Sequence, residues 1–260
     1  LSLLSLPYFS QNPKAKLICL ARGANSNKVK ERVLEGVKKA ELWEAVSPFL
    51  SRLMFLPFSF SDDKLGFSEL GYVALVSALQ GGHVILNAAW VNMVIPYEGL
   101  KKSNVGGTLN VLRLACRAQG RFHFISSVAA VSSYSVEEKW FSLSHSEFNA
   151  KDGYGQTKAV CERLLYEIMM KYPVDGRVYR PSYICGSRKT GFGNTDFTAH
   201  LLKSCVAVEE APILDARTKK LHWVPVDFVA EGISSLALSN DPSLSFSSSF
   251  LSLSLPFPFS

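Results

Sequence analysis

A doubly wound parallel α/β sheet is the fold this sequence predicts. Short apolar runs of strand length recur along the chain, and stretches with helical apolar spacing separate them. Small and polar residues gather just after the runs: Arg22, Asn87-Ala88-Ala89, Ser126-Ser127 and Pro181-Ser182. In parallel sheets ligands collect at the carboxyl ends of strands, so this is where a site is expected.

Taken in order, "KLICLAR" (16–22) is a short apolar run of the buried-strand kind. "NKVKERVLEGVKKAELW" follows as a helix, with Val29, Val33, Val37 and Ala40 on one face and Ser26 as its N-cap. "RLMFLPF" (52–58) reads as a strand, and Pro57, which cannot donate to a ladder, puts it at an edge. "HVILNAA" (83–89) is a strand ending in small residues. Residues 101–118 form a helix with Val105, Leu109, Leu112 and Cys116 in register. "RFHFISSVA" (121–129) is a strand that runs into serines. Residues 154–171 are helical, with Leu164, Leu165, Ile168 and Met169 as the apolar face, and "GRVYRPSYI" (176–184) is the next strand.

The ends differ from this body. "LSLLSLPYFS" at the start and "SLSFSSSFLSLSLPFPFS" at 243–260 use almost only Leu, Ser, Phe and Pro. The expected division is therefore a low-complexity start at 1–13, a folded body at 14–239, and a Ser/Leu/Phe/Pro-rich tail at 240–260, poorly packed and outside the fold. The start lacks the basic n-region of a signal peptide.

Hydrophobic content of 47% with 19% charged residues suits a domain with a sizeable core. The net charge of +6 is spread without runs of Lys and Arg interleaved with aromatics, which gives no support to a nucleic-acid partner. Five cysteines, Cys19, Cys116, Cys161, Cys185 and Cys205, show no CxxC and no paired histidine spacing. They read as reduced thiols of a cytoplasmic protein, with no metal site. No apolar run reaches the roughly 18 residues of a membrane helix.

"DGYGQTKAVCERLLYE" (152–167) carries the chemistry. Tyr154 and Lys158 are four apart and so share one face of a helix. An ammonium one turn from a phenol favours the phenolate and is expected to draw its pKa from about 10 towards neutrality. With a hydroxyl from the Ser126-Ser127 strand end to hold a carbonyl oxygen, the set is a proton donor for a carbonyl that receives hydride. The plainer alternative is that Tyr154 caps the helix and Lys158 is solvated. Tyr97 and Lys101 repeat the spacing without a serine-ended strand before them.

Several stretches together, "ILNAAWVNMVIPYEGLKKSNVGGTLNVLRLA", "FHFISSVAAVSS", "YGQTKAVCERLL", "RPSYICGSRKTGFGNTD" and "LHWVPVDFVAEGI", resemble the extended short-chain dehydrogenase/reductase superfamily. More narrowly they resemble the thioester reductase domains of carboxylic acid reductases, aminoadipate reductases and the ends of nonribosomal peptide and polyketide synthases. The resemblance spans about Lys16 to Leu238. It implies a Rossmann-like fold with a small C-terminal substrate-binding part that includes residues 187–206. It implies Ser127, Tyr154 and Lys158 as the catalytic residues. NADPH would be held by Arg22 at its 2′-phosphate, by Asn87, Ala88, Ala89 and Ser126, by Tyr154 and Lys158, and along the nicotinamide by Pro181, Ser182 and Ile184. A guanidinium fork at Arg22 suits a phosphate. Asn104 would be a structural bridge and Asp227 a helix cap. The implied reaction is reductive release: an acyl or peptidyl thioester, on a phosphopantetheine carrier or CoA, is reduced to an aldehyde, in some relatives on to the alcohol.

Two departures stand out. The family's opening strand and GxxGxxG turn, which hold the pyrophosphate, have no counterpart here. "FLPFSFSDD" puts Phe58-Ser59 where the family has Gly-Asp. Three alternatives stay open. One is a nucleotide-sugar epimerase or dehydratase with the same triad, against which "GSRKTGFGNTDF" speaks. Another is a non-catalytic fragment, favoured by the missing glycine turn. The third is a membrane-associated fatty acyl reductase, which the lack of a membrane segment disfavours.

Overall fold

The computed structural model describes residues 13–131, 150–172, 174–193, 195–210, 223–239 and 250–253. The low-complexity start lies almost wholly outside these residues, as do 240–249 and 254–260 of the tail.

The chain opens with strand β1, Leu17–Ala21, and helix α1, Ser26–Lys39. Asn25, not Ser26, caps α1: its side chain accepts from the Lys28 amide at 3.0 Å. Both residue types cap well, and the one whose backbone is extended takes the role. Val29, Val37 and Ala40 are buried as expected, and Val33 packs against the same cluster. Helix α2, Trp43–Val46, and a 3-10 turn at Ser47–Arg52 lead into β2, Leu53–Pro57. β2 pairs with β1 in parallel, Leu17 opposite Leu53.

Helix α3, Glu69–Ala78, precedes β3, His83–Leu86. A short helix α4, Tyr97–Lys101, passes through a π-helical turn, Lys102–Gly106, into α5, Gly107–Arg117. Then come β4, Arg121–Ile125, α6, Gly153–Lys171, and β5, Gly176–Pro181. The expected strand 176–184 breaks at Ser182. Tyr183–Cys185 forms β6 and pairs in parallel with β7, Trp223–Pro225. Pro181 has no N–H to continue a ladder. Helix α7, Phe197–Val208, lies between β6 and β7, and α8, Val226–Leu238, follows β7. Four residues of the tail, Phe250–Leu253, form β8 beside β5, so this part of a segment expected outside the fold is a strand. Alternating Ser and Leu suit a strand, and β5 offers it an unpaired edge.

The main sheet has the order β3-β4-β5-β8, parallel throughout. Residues alternate strictly between its faces. Val84, Leu86, Phe122, Phe124 and Val178 join the large core with α5 and α6, while Ile85, Ile125 and Tyr179 join a second core under Val229 and Ile233 of α8. Helices therefore cover both faces, the doubly wound arrangement the sequence predicts. Each large side chain taken from water here is worth roughly 1.5–3 kcal/mol. The β1-β2 pair forms a sheet of its own. Among the described residues β1 and β3 share no ladder, although Ile18 and Leu20 still pack on the large core. The Phe-rich stretch after β2 is built in: Phe58 and Phe60 pack on the large core, and a Cβ on Gly107 would sit 2.5 Å from the Phe60 ring.

Candidate active site

Three neighbouring parallel strands, β3, β4 and β5, end in Asn87-Ala88-Ala89, Ser126-Ser127 and Pro181-Ser182, so these residues line one edge of the main sheet. Helix α6 starts beside that edge. Asp152 caps it, accepting from the Gly155 amide at 2.8 Å, so the cap is not Tyr154. Two glycines flank the tyrosine for reasons of space. A Cβ on Gly153 would lie 2.4 Å from the Ile95 carbonyl oxygen, and one on Gly155 would lie 2.3 Å from that of Ala129. The first turn of α6 thus presses onto the backbone beyond β3 and beyond β4, and Tyr154 is carried between them.

Tyr154 and Lys158 are both buried, 8% and 5% exposed. The Lys158 Nζ donates to the Ile125 carbonyl at 2.7 Å and lies 4.8 Å from the Phe124 ring centroid and 5.7 Å from that of Tyr154. Lys158 is therefore hung on the end of β4, two residues before Ser127, with the Tyr154 ring beside it. The Ser127 Oγ accepts from the Ala129 amide at 3.1 Å and caps a 3-10 turn, Val128–Ala130. Tyr97 and Lys101 differ in kind: Lys101 is exposed and paired to Glu98 at 3.8 Å.

The electrostatics depart from the expectation. The Tyr154 hydroxyl is not drawn towards neutrality: burial, aided by the Asp152 charge, pushes it up to about 12. Lys158 bears the effect instead. Burial lowers its ammonium to about 8, against the raising influence of Cys161 and Glu162. For each group desolvation is the leading cause.

Asn104 is the bridge it was expected to be. Its side chain accepts from the Trp90 amide at 2.7 Å and donates to the Trp90 carbonyl and the Thr157 hydroxyl, both at 3.1 Å. It ties the loop beyond Ala89 to α6, from a π turn whose extra residue turns the side chain inward. Asp227 corrects the reading as a helix cap. It sits inside the first turn of α8 and accepts from the Arg188 amide at 3.2 Å and Nε at 3.1 Å. Burial pushes its carboxyl up, but these hydrogen bonds prevail and hold it below the usual range. Arg22 is exposed just past β1, whose ladder with β2 is separate from the main sheet. Ile184 is exposed in β6, whereas Ser182 and Ser126 are buried.

One group escaped the sequence reading. Ser126, Glu162 and Arg180, all 5% exposed or less, form a hydrogen-bonded chain directly behind the site. The only signal for it was a glutamate one turn beyond Lys158, on the face of α6 that must be buried.

The family model described as "Male sterility protein", an NAD-binding family, matches residues 8–233. The chain belongs to this family. It is 31% identical over 232 residues to aldehyde reductase lnbA of Aspergillus flavus, covering 85% of this chain and 22% of that protein. It is 30% identical over 249 residues to the non-canonical nonribosomal peptide synthetase FrzA of a Cladobotryum species, covering 91% of this chain and 23% of that one. Among solved structures, the terminal R domain from the myxalamid PKS-NRPS pathway superposes with a TM-score of 0.82 at 28% identity, covering 97% of this chain and 62% of that domain. The chain thus has the fold of the family's terminal reductase domains, of the extended short-chain dehydrogenase/reductase type. It spans about a fifth of the length of the curated relatives it matches. No described helix is long and apolar enough to cross a membrane.

Proposed function

We propose that the chain carries the reductase chemistry of a larger enzyme: NADPH-dependent reduction of an acyl or peptidyl thioester, on a phosphopantetheine carrier or CoA, to an aldehyde. The observation that carries this reading is the buried Tyr154–Lys158 pair, with Lys158 bonded to the Ile125 carbonyl two residues before Ser127, in a member of an NAD-binding family.

The residues present fit the nicotinamide end of a dinucleotide. Lys158 spends one of its three donors on Ile125 and has two left for ribose hydroxyls. Asn87, Ala88, Ala89, Ser126, Pro181, Ser182 and Ile184 would border the ring. Arg22 would take the 2′-phosphate. The sequence offers no GxxGxxG turn for the pyrophosphate. When bound, the cofactor supplies hydride to the thioester carbonyl carbon, the carbon–sulfur bond breaks, and aldehyde and thiol result. Ser127 would hold the carbonyl oxygen as charge develops on it. Tyr154 would give that oxygen its proton, leaving a hemithioacetal, and as the carbon–sulfur bond breaks that proton leaves the oxygen and ends on the departing sulfur as the thiol. A buried phenol with a pKa near 12 stays protonated until the oxyanion forms, and the Lys158 cation then stabilises the phenolate left behind.

The test is to incubate the chain with NADPH and an acyl-pantetheine or acyl-CoA thioester and to measure aldehyde by mass spectrometry. Aldehyde formation supports the reading. No turnover of thioester together with turnover of a UDP-sugar and NAD would replace it with an epimerase. Arg22→Ala is expected to raise the KM for NADPH tenfold or so, as loss of a charged phosphate contact does, and to leave that for NADH unchanged.

A further inference from the structure

The exit of β4 is fixed at three successive points. The Ile125 carbonyl accepts from Lys158 at 2.7 Å. The Ser126 amide donates to the Tyr179 carbonyl at 2.7 Å. The Ser126 hydroxyl donates to Oε1 of Glu162. Glu162 is held in turn by the Arg180 fork: Nε lies 3.0 Å from Oε1 and 3.2 Å from Oε2, and the terminal nitrogen lies 2.5 Å from Oε2. Ser127 comes next on one side of this chain, and Pro181 and Ser182 come next on the other.

Stability does not account for the pair. Taking a carboxylate and a guanidinium to 2% and 5% exposure costs several kcal/mol per ion, and apolar residues of like volume commonly serve as well. An ion pair does something apolar residues cannot: its fixed, bidentate geometry leaves one carboxylate oxygen aimed at a third group. Here that group is the serine beside Ser127, and the carboxylate lies one helical turn from Lys158.

We propose that Glu162 and Arg180, acting through the Ser126 hydroxyl, are positioning residues that hold the β4 and β5 exits against α6, so that Ser127, Tyr154 and Lys158 keep one mutual placement. The inference rests on the reductase reading of that site. Lys158 faces Tyr154, Cys161 and Glu162 on its own helix. From β5, Arg180 reaches the same carboxylate, and β4 offers it an apolar ring and a carbonyl.

The experiment compares the wild-type chain with Ser126→Ala, Ser126→Thr and Glu162→Gln. Ser126→Ala deletes one hydroxyl and leaves the ion pair in place. It is expected to fold with a Tm close to wild type and to lose kcat by about tenfold, since small misplacements of reacting groups cost rates of 10–100-fold, with KM values within about twofold. Ser126→Thr keeps the hydroxyl and restores most of the loss. A wild-type kcat in Ser126→Ala overturns the proposal. Should the wild-type chain reduce no thioester at all, it is the reductase reading that fails, and the device is judged without turnover. Lys158 is then titrated by NMR in lysine-labelled protein without cofactor. Removing the Glu162 charge in Glu162→Gln is expected to lower its midpoint; an unmoved midpoint overturns the proposal there.

Discussion

An ammonium placed in a protein interior without a full counter-charge is a cost that only function repays. Lys158 is such a group. Its folded value, about 8, lies below the 10.5 of an exposed lysine. Between those values the unfolded chain holds the extra proton, so stability rises with pH across pH 8 to 10.5. Below 8 both states are protonated and the penalty is constant. Lys158→Met is therefore expected to stabilise the fold at pH 7 by roughly 1–3 kcal/mol, a gain of several degrees in Tm by calorimetry, while abolishing turnover. An unchanged or lowered Tm would show that the bond to Ile125 outweighs burial. In the wild type, turnover is expected to fall as pH rises through about 8, where Lys158 loses its charge. Tyr154→Phe, which removes only the hydroxyl, is expected to cost 10²–10⁴-fold in kcat with little change in Tm.

At the scale of elements, close approach decides the effect of a substitution that propensity alone would misjudge. Alanine is better than glycine inside a helix by roughly 1 kcal/mol. Gly36 in α1 meets nothing within 4 Å, so Gly36→Ala should stabilise by about that amount. A Cβ on Gly155 in α6 would lie 2.3 Å from the Ala129 oxygen, so the same change should destabilise by roughly 1–3 kcal/mol and push Tyr154 away from β4. Urea midpoints moving in opposite directions would bear this out; parallel movement would mean that α6 can shift freely. The legible elements were those with a regular period. β1 to β5 and helices α1, α5 and α6 stand within a few residues of where apolar spacing put them, whereas α7 and α8 were not read from it. Helix α3 went unread because Leu70 and Val73 are exposed, so its apolar residues do not form one stripe. Tyr154 and Lys158 were legible because both lie in one short segment. The Ser126–Glu162–Arg180 chain was not, because its members come from three elements and only folding brings them together.

Across the whole molecule, the main sheet also carries a polar ladder. His83 Nδ1 and His123 Nε2 are 2.9 Å apart, and His123 Nδ1 is 2.8 Å from the Tyr179 hydroxyl, so one chain of hydrogen bonds crosses β3, β4 and β5. A neutral His123 satisfies it, donating through one nitrogen and accepting through the other. A charged one can only donate. Burial holds His123 well below 6.5, with His83, Arg177 and Arg121 adding to the effect, and His83 is lowered for like reasons. Below 6.5 the unfolded chain takes up protons that the folded chain refuses, so stability is lost as pH falls through that value. For His123 the slope has a limit of about 1.4 kcal/mol per pH unit, one proton's worth. Because the ladder joins three central strands, the loss should appear in global unfolding and not in fraying of one edge. Denaturant titrations at pH 7 and pH 5 are expected to show the wild type weaker at pH 5 by roughly 1–2 kcal/mol. His123→Gln keeps a donor and an acceptor but cannot charge, and it should show a clearly smaller difference between the two pH values. An equal loss in both proteins would place the acid sensitivity elsewhere, in His83, whose ring is also held below 6.5 by burial and so weakens the fold over the same pH range.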